Sequence, residues 1–248
     1  TRLQGDWSSD VCSSDLEVGT EILWDYVNDF KTPTIFVISQ MDHEKADFET
    51  TLEQAKERFG SKVMEVQYPL NQGTGFNAII DAVRMVMYEF GKNGGKPEKK
   101  PIPENEMAKA MAMHNALVEA AAENDEGLME KFFEQGTLSE EEMTTGLRLA
   151  LAHQQIFPVF CCSALQDKGS GRIMGFINDV APSPADVPPF ELVGGKTMTY
   201  DTKAPASIFI YKTISESQVG LVSYFKVYSG TVRAGDELIN MKNGTHER

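Results

Sequence analysis

Two short polar segments, each directly behind an apolar run, hold the residues best suited to chemistry. Ser39-Gln40-Met41-Asp42 follows residues 34–38 (TIFVI), and Cys162-Ser163-Ala164-Leu165 follows the end of residues 157–161 (FPVFC). A carboxylate accepts hydrogen bonds from paired N–H groups, and a Ser-Ala turn offers backbone N–H donors. Together they could read the polar edge of a ligand. Taken alone, Asp42 reads more simply as a helix N-cap or a loop carboxylate. Other reactive residue types are poorly arranged. His43, His114, His153 and His246 lack metal-ligand spacing, and the adjacent Cys161 and Cys162 read as buried packing residues rather than ligands or nucleophiles.

Both segments need strands behind them. Residues 34–38 and 157–161 are short, almost wholly apolar runs of strand formers, the pattern of strands buried on both faces of a parallel sheet. Ligands of open parallel sheets sit beyond the carboxyl ends of the strands, where Asp42 and the Ser163-Ala164 pair fall. Leu23, Tyr26, Val27 and Phe30 recur at helical spacing before Pro33, and Phe48, Leu52, Ala55 and Phe59 mark a second helix that Gly60 stops. Residues 62–67 read as a strand, residues 76–90 are ambiguous between helix and strand, and residues 91–103 (GKNGGKPEKKPIP) read as a polar, mobile loop. Helices are expected over 107–122 and 126–133, and Ser139 with Glu142 forms a capping box for another reaching His153. A helix over 170–180 precedes residues 182–189 (PSPADVPP), whose prolines mark a domain boundary. Beyond it, 206–213, 221–228 and 237–240 are β-type runs separated by Gly turns, as in a small antiparallel barrel.

At 248 residues and 41% hydrophobic content, the chain can bury a sizeable core. It has no apolar run near the roughly 20 residues needed to cross a bilayer. Three cysteines make no disulfide framework, which fits a reducing compartment, so a cytoplasmic location is expected. A formal charge of -14 disfavours a protein that coats nucleic acid; contacts to a polyanion would have to come from local patches or shape. Residues 6–16 (DWSSDVCSSDL) read codon by codon as a translated sequencing adapter, so residues 1–16 are expected to be foreign to the natural protein and its gene to continue upstream of Glu17. Without the three aspartates and one arginine of that leader, the charge of -14 becomes -12.

Several segments in the right order resemble the elongation factor G family of translational GTPases. FVISQMDHEKADF is similar to the family's base-recognition motif, usually Asn-Lys-x-Asp. VFCCSALQDKG is similar to its second guanine loop, and the proline-rich linker with FKVYSGTVRAGDEL resembles the junction to the second domain. The likeness runs from Glu17 to Arg248. It implies an α/β fold, the C-terminal half of a P-loop GTPase-type parallel-sheet domain (17–187) with an α-rich insertion (about 60–154), then the start of an antiparallel β-barrel domain (188–248). It also implies GTP or GDP as ligand, contacted by Ser39, Gln40, Asp42, Ser163, Ala164 and Leu165. Asp42 would accept from guanine N1–H and its 2-amino group, while a backbone N–H of the second loop donates to O6 and rejects adenine.

The family's phosphate loop, Mg2+ ligands and catalytic histidine would precede Glu17, so no catalytic residue is assigned and the fragment alone is expected to be inactive in GTP hydrolysis. Implied partners are the ribosome, through small-subunit rRNA and stalk proteins, and the tRNA–mRNA complex through domains outside this sequence; a monomer is expected. Stalk proteins would meet the acidic insertion. Lys212, Lys226 and Arg233 are candidate RNA contacts, although a solvated strand face is the simpler reading. Ser39 and Gln40 stand where the family has Asn-Lys, and Cys162 where glycine is usual. At about 1 kcal/mol for each lost contact, GTP binding would weaken roughly ten- to thirty-fold. Besides a translocase, the sequence admits a ribosome-binding paralogue with weakened or lost GTP dependence, or a ribosome-protection or release-factor-recycling GTPase.

Overall fold

The computed structural model describes residues 18–183, 186, 189–192 and 194–247. The leader, 1–16, and residues 184, 185, 187 and 188 of the proline-rich segment lie outside them. The chain divides into two compact units, Thr1–Ala181 and Pro182–Arg248.

The first unit opens with helix α1 (Val18–Phe30), strand β1 (Phe36–Ile38), helix α2 (Phe48–Phe59) and strand β2 (Val63–Glu65). Four short strands follow: β3 (Gln67–Pro69), β4 (Ala78–Asp81), β5 (Val86–Glu89) and β6 (Glu98–Lys100). Helices α3 (Glu104–Ala122), α4 (Glu126–Gln135) and α5 (Glu140–Ala152), strand β7 (Phe157–Cys161) and helix α6 (Ser170–Val180) complete it. β7 is the middle of a three-stranded parallel sheet in the order β1-β7-β2, with Ile38 opposite Cys161 and Val63 opposite Phe157. All five residues of β7 are buried, as a continuous apolar run requires when helices cover both faces.

Helices α2 and α5 are set by readable local chemistry. Asp47 caps α2 by accepting from the Thr50 backbone N–H at 3.1 Å, and the Gly60 N–H closes its other end on the Lys56 carbonyl at 2.9 Å. Ser139 and Glu142 form the reciprocal capping box at the start of α5. In α1 the inward face differs from the one its spacing indicated. Trp24 turns inward, its ring 5.8, 4.8 and 4.7 Å from those of Phe36, Phe59 and Phe157, and Leu23, Tyr26 and Phe30 are left exposed. The large indole fills the gap between helix and sheet that several smaller side chains would have shared.

Three expectations need correction. Residues 62–67 are not one strand: β2 joins the parallel sheet, while β3 departs into a four-stranded antiparallel sheet, β3-β4-β5-β6. The ambiguous stretch 76–90 is the β4–β5 hairpin of that sheet. Its turn is closed by Asp81 Oδ1, which accepts from the Arg84 N–H at 3.0 Å, and all four residues of β4 are buried, which erases the alternation that marks a half-exposed strand. The segment 91–103 is not all loop, since β6 pairs with β5. The inserted region therefore carries a sheet ahead of its helices.

Helices α3 and α5 meet closely at Gly146. A Cβ there would lie 2.3 Å from the Ala121 carbonyl oxygen and 2.8 Å from the Ala121 Cβ. Gly146→Ala is expected to lower stability in urea unfolding by about 1–2 kcal/mol, because overpacking outweighs the better helix propensity of alanine.

Among the described residues the second unit holds three antiparallel pairs: β8 (Phe190–Glu191) with β9 (Thr197–Met198), β10 (Ser207–Glu216) with β11 (Gly220–Ser229), and β12 (Leu238–Ile239) with β13 (His246–Glu247). Phe190, Tyr200 and Tyr228 cluster with ring centroids 4.8 to 5.9 Å apart. Lys212, Lys226 and Arg233 are exposed. No helix among the described residues is long and apolar enough to cross a membrane.

Candidate functional site

β1 and β7 run side by side and stop together, so the segments behind them leave the sheet as neighbours. The ladder continues past the strands: the Cys162 N–H donates to the Ile38 carbonyl at 3.1 Å, and the Met41 N–H to the Cys162 carbonyl at 3.2 Å. Met41 is fully buried and anchors the first loop from below. Gln40 sits at a φ of 60°, and the His43 N–H closes the turn on its carbonyl at 2.9 Å, which brings Asp42 round toward β7.

The second loop is a tight turn built on Ser163. Its backbone pairs with that of Lys168 in both directions, at 2.9 and 3.0 Å, and its buried hydroxyl accepts from the Gln166 N–H at 3.2 Å. The Asp167 N–H closes on the Ala164 carbonyl at 3.3 Å. The turn thus engages the N–H groups of Ser163, Gln166, Asp167 and Lys168, while that of Leu165, a residue 93% exposed, has no partner among the described residues.

Between the loops lies an open cleft of about 570 Å³, lined by Ser39, Gln40, Asp42, His43, Glu44, Thr74, Ala164 and Leu165. Five of the six residues singled out in the sequence therefore share one cavity. The sixth, Ser163, lies beneath it as the buried support of the turn. Ser39 and Gln40 are exposed, and neither side chain makes a hydrogen bond to another described residue. Cys162 is buried beside Asp42. Burial first, then that carboxylate, raises its thiol above the ordinary value, and full burial raises that of Cys161 well above it, so neither is an activated nucleophile.

Several contributors had escaped sequence reasoning. Asp42 Oδ2 accepts from Gln166 Nε2 at 3.0 Å. Gln166 Oε1 in turn accepts from Lys168 Nζ at 2.7 Å, and the same ammonium, buried, donates to the Phe76 carbonyl at 2.7 Å. Thr74 comes from the Gly73-Thr74-Gly75 turn of the inserted region, held under the first loop by the Gly73 N–H donating to the Met41 carbonyl at 2.8 Å. The Gly-Thr-Gly run was a visible turn signal; the Lys168–Gln166 pair had none, because its role depends on a long-range approach.

A carboxylate with lone pairs to spare faces a turn with an unused backbone donor, in an open cavity with room for a planar heterocycle. Among the described residues, no group of three His, Cys, Asp or Glu side chains could hold a metal ion.

No family profile matches the chain. Among solved structures it is similar to the crystal structure of a Thermus thermophilus protein designated ttk003000868. The two are 21% identical, with a TM-score of 0.73 over 91% of this chain and 32% of that one. A likeness at that identity shows the fold alone, here a mixed α/β architecture. The chain spans about a third of the length of that protein, 32%.

Proposed function

We propose that this chain is the guanine-recognising part of a translational GTPase of the elongation factor G type, and that its cleft holds the base of GTP or GDP. One observation carries the reading: Asp42 and Ala164-Leu165, far apart in the sequence, line a single cavity at the carboxyl ends of two adjacent parallel strands. Asp42 accepts from guanine N1–H and the 2-amino group. The Leu165 N–H donates to O6, where adenine would present an amino group. The ordered resemblance of both loops and of the residues after the linker supports the family assignment. In the complete protein the nucleotide would drive ribosomal translocation of tRNA and mRNA, with the phosphates and Mg2+ held by residues outside this sequence. The β10–β11 unit would be the start of the family's β-barrel domain, facing small-subunit rRNA, and the acidic α3–α5 region would meet stalk proteins.

A second reading is favoured by one specific feature. Ser39 and Gln40 reach the cleft without bracing a neighbouring loop or offering a charge, so a ribosome-binding paralogue with a weakened nucleotide cycle fits the same geometry. Equilibrium dialysis of the chain against GDP and ADP tests the base assignment. Saturable GDP binding with at least tenfold poorer ADP binding is expected from the mismatched O6 position, about 1.4 kcal/mol or more. Equal retention of the two nucleotides would refute it.

A further inference from the structure

We infer that Gln166 and Lys168 are positioning residues that aim the Asp42 carboxylate, and that they place base selectivity under the control of the inserted sheet. The inference rests on the guanine reading and assigns roles to two residues of the second loop to which the resemblance gave none.

The Asp42 side chain has one hydrogen-bond partner among the described residues, the Gln166 amide at 3.0 Å on Oδ2. Without it the carboxylate is free to rotate about its terminal torsion, which is broad for aspartate. A ligand that needs both oxygens in one plane then binds a minority orientation. Gln166 is itself held at two points, the second of them braced in turn. Its backbone N–H is held by the Ser163 hydroxyl at 3.2 Å, its Oε1 by the Lys168 ammonium at 2.7 Å, and that ammonium by the Phe76 carbonyl at 2.7 Å. An ammonium on Oε1 also polarises the amide and strengthens the Nε2–H donor that faces Asp42. A carboxylate offers about four lone-pair sites, so Gln166 on one of them leaves room for both guanine donors.

The inserted region grips this turn at a second place. The Gly95 N–H donates to the Asp167 carbonyl at 2.9 Å, and Gly94, at a φ of 69°, approaches so closely that a Cβ would lie 1.8 Å from the Gln166 carbonyl oxygen. Residues ahead of β4 and residues between β5 and β6 thus hold Gln166 from two directions. A movement of that sheet is transmitted to the aspartate through bonded neighbours. The charge near the cleft that Gln40 cannot supply is brought from the opposite loop, by Lys168, acting on the recognition carboxylate rather than on the base.

The test compares GDP with inosine diphosphate, which keeps N1–H and O6 but lacks the 2-amino group. It uses the whole chain and its Gln166→Leu and Lys168→Met variants. An aimed carboxylate earns its advantage at the 2-amino group, so Gln166→Leu should weaken GDP about ten-fold and inosine diphosphate about two-fold, collapsing the ratio between them. Lys168→Met should do the same, and the double variant should be no worse than either. If Lys168→Met fails to fold, Gln166→Leu decides alone, since its side chain is only half-buried and the replacement has similar volume. Equal weakening of both nucleotides would mean a structural role only, and unchanged binding of both would mean none; either overturns the inference and leaves guanine recognition standing. A wild-type chain that does not prefer GDP to ADP overturns the guanine reading itself, and this inference with it.

Discussion

Asp42→Asn should reverse the base preference of the chain, weakening GDP about a hundred-fold while admitting xanthosine diphosphate. The carboxylate can accept from both guanine donors; an asparagine amide keeps one acceptor and turns an NH2 toward the 2-amino group, so donor faces donor. Losing a charge-assisted bond and leaving its partner unpaired costs about 3 kcal/mol, which sets the hundred-fold loss. Xanthine carries a carbonyl in place of the amino group and accepts from the same NH2. The turn should survive the change, because the remaining side-chain oxygen can still accept from Gln166, which now reaches Asp42 at 3.0 Å. Competition between GDP and xanthosine diphosphate on the variant chain reads the reversal directly. A variant that loses both equally would show that Asp42 supports the loop instead of reading the base.

The second large effect is on stability. Arg172 of α6 donates from Nε and Nη2 to Asp81 Oδ2 of β4 at 2.8 and 2.7 Å, with side chains only 12% and 2% exposed. This pair joins the inserted sheet to the helix that follows the second loop. Asp81→Ala strands a guanidinium out of water and opens the β4–β5 turn, where Asp81 Oδ1 also accepts from the Arg84 N–H at 3.0 Å. A loss of about 3–5 kcal/mol in urea unfolding is expected. Replacing both partners, Asp81→Leu with Arg172→Met, should recover most of it, because the penalty belongs to the unpaired charge and not to the absence of an ion pair. A single variant as stable as the parent would mean that Arg172 finds water, and that the inserted sheet is not locked to α6 by this contact.

Much of this architecture could be read in advance where local chemistry decides it. β7 falls on the residues expected, since an unbroken apolar run is a local signal, and α6 falls on the stretch expected ahead of the proline-rich segment. The α5 start does so too, because a capping box satisfies its own donors. The sequence was mute where distant segments decide. Residues 76–90 alternate and recur at once, and only pairing of β4 with both β3 and β5 makes them strands. The lysines of residues 91–103 suggested a solvated loop, yet Lys99 and Lys100 lie in an edge strand, where such charges are common. The same division runs through the site. Ala164 and Leu165 were legible because they stand just past a buried run, and Asp42 because it follows the neighbouring parallel strand, a position with functional meaning in such a sheet. The burial of β1 on both faces was misjudged, since β1 is an edge strand and Val37 is exposed. Gln166, Lys168 and Thr74 were not legible, because each enters the site through a contact made across a large sequence separation.

Guanine recognition at this cleft is tested most directly by mapping where a nucleotide lands. Backbone amide resonances of the isotopically labelled chain should shift at Thr74, Ala164 and Leu165 on addition of GDP, and remain in place with ADP at the same concentration. The groove lined by Lys56, Met64 and Met113, elsewhere on the same unit, serves as an internal control and should be silent with both. Shifts of equal size with the two nucleotides, or shifts confined to that groove, would contradict the assignment of Asp42 and the Ser163-Ala164-Leu165 turn as the reader of guanine.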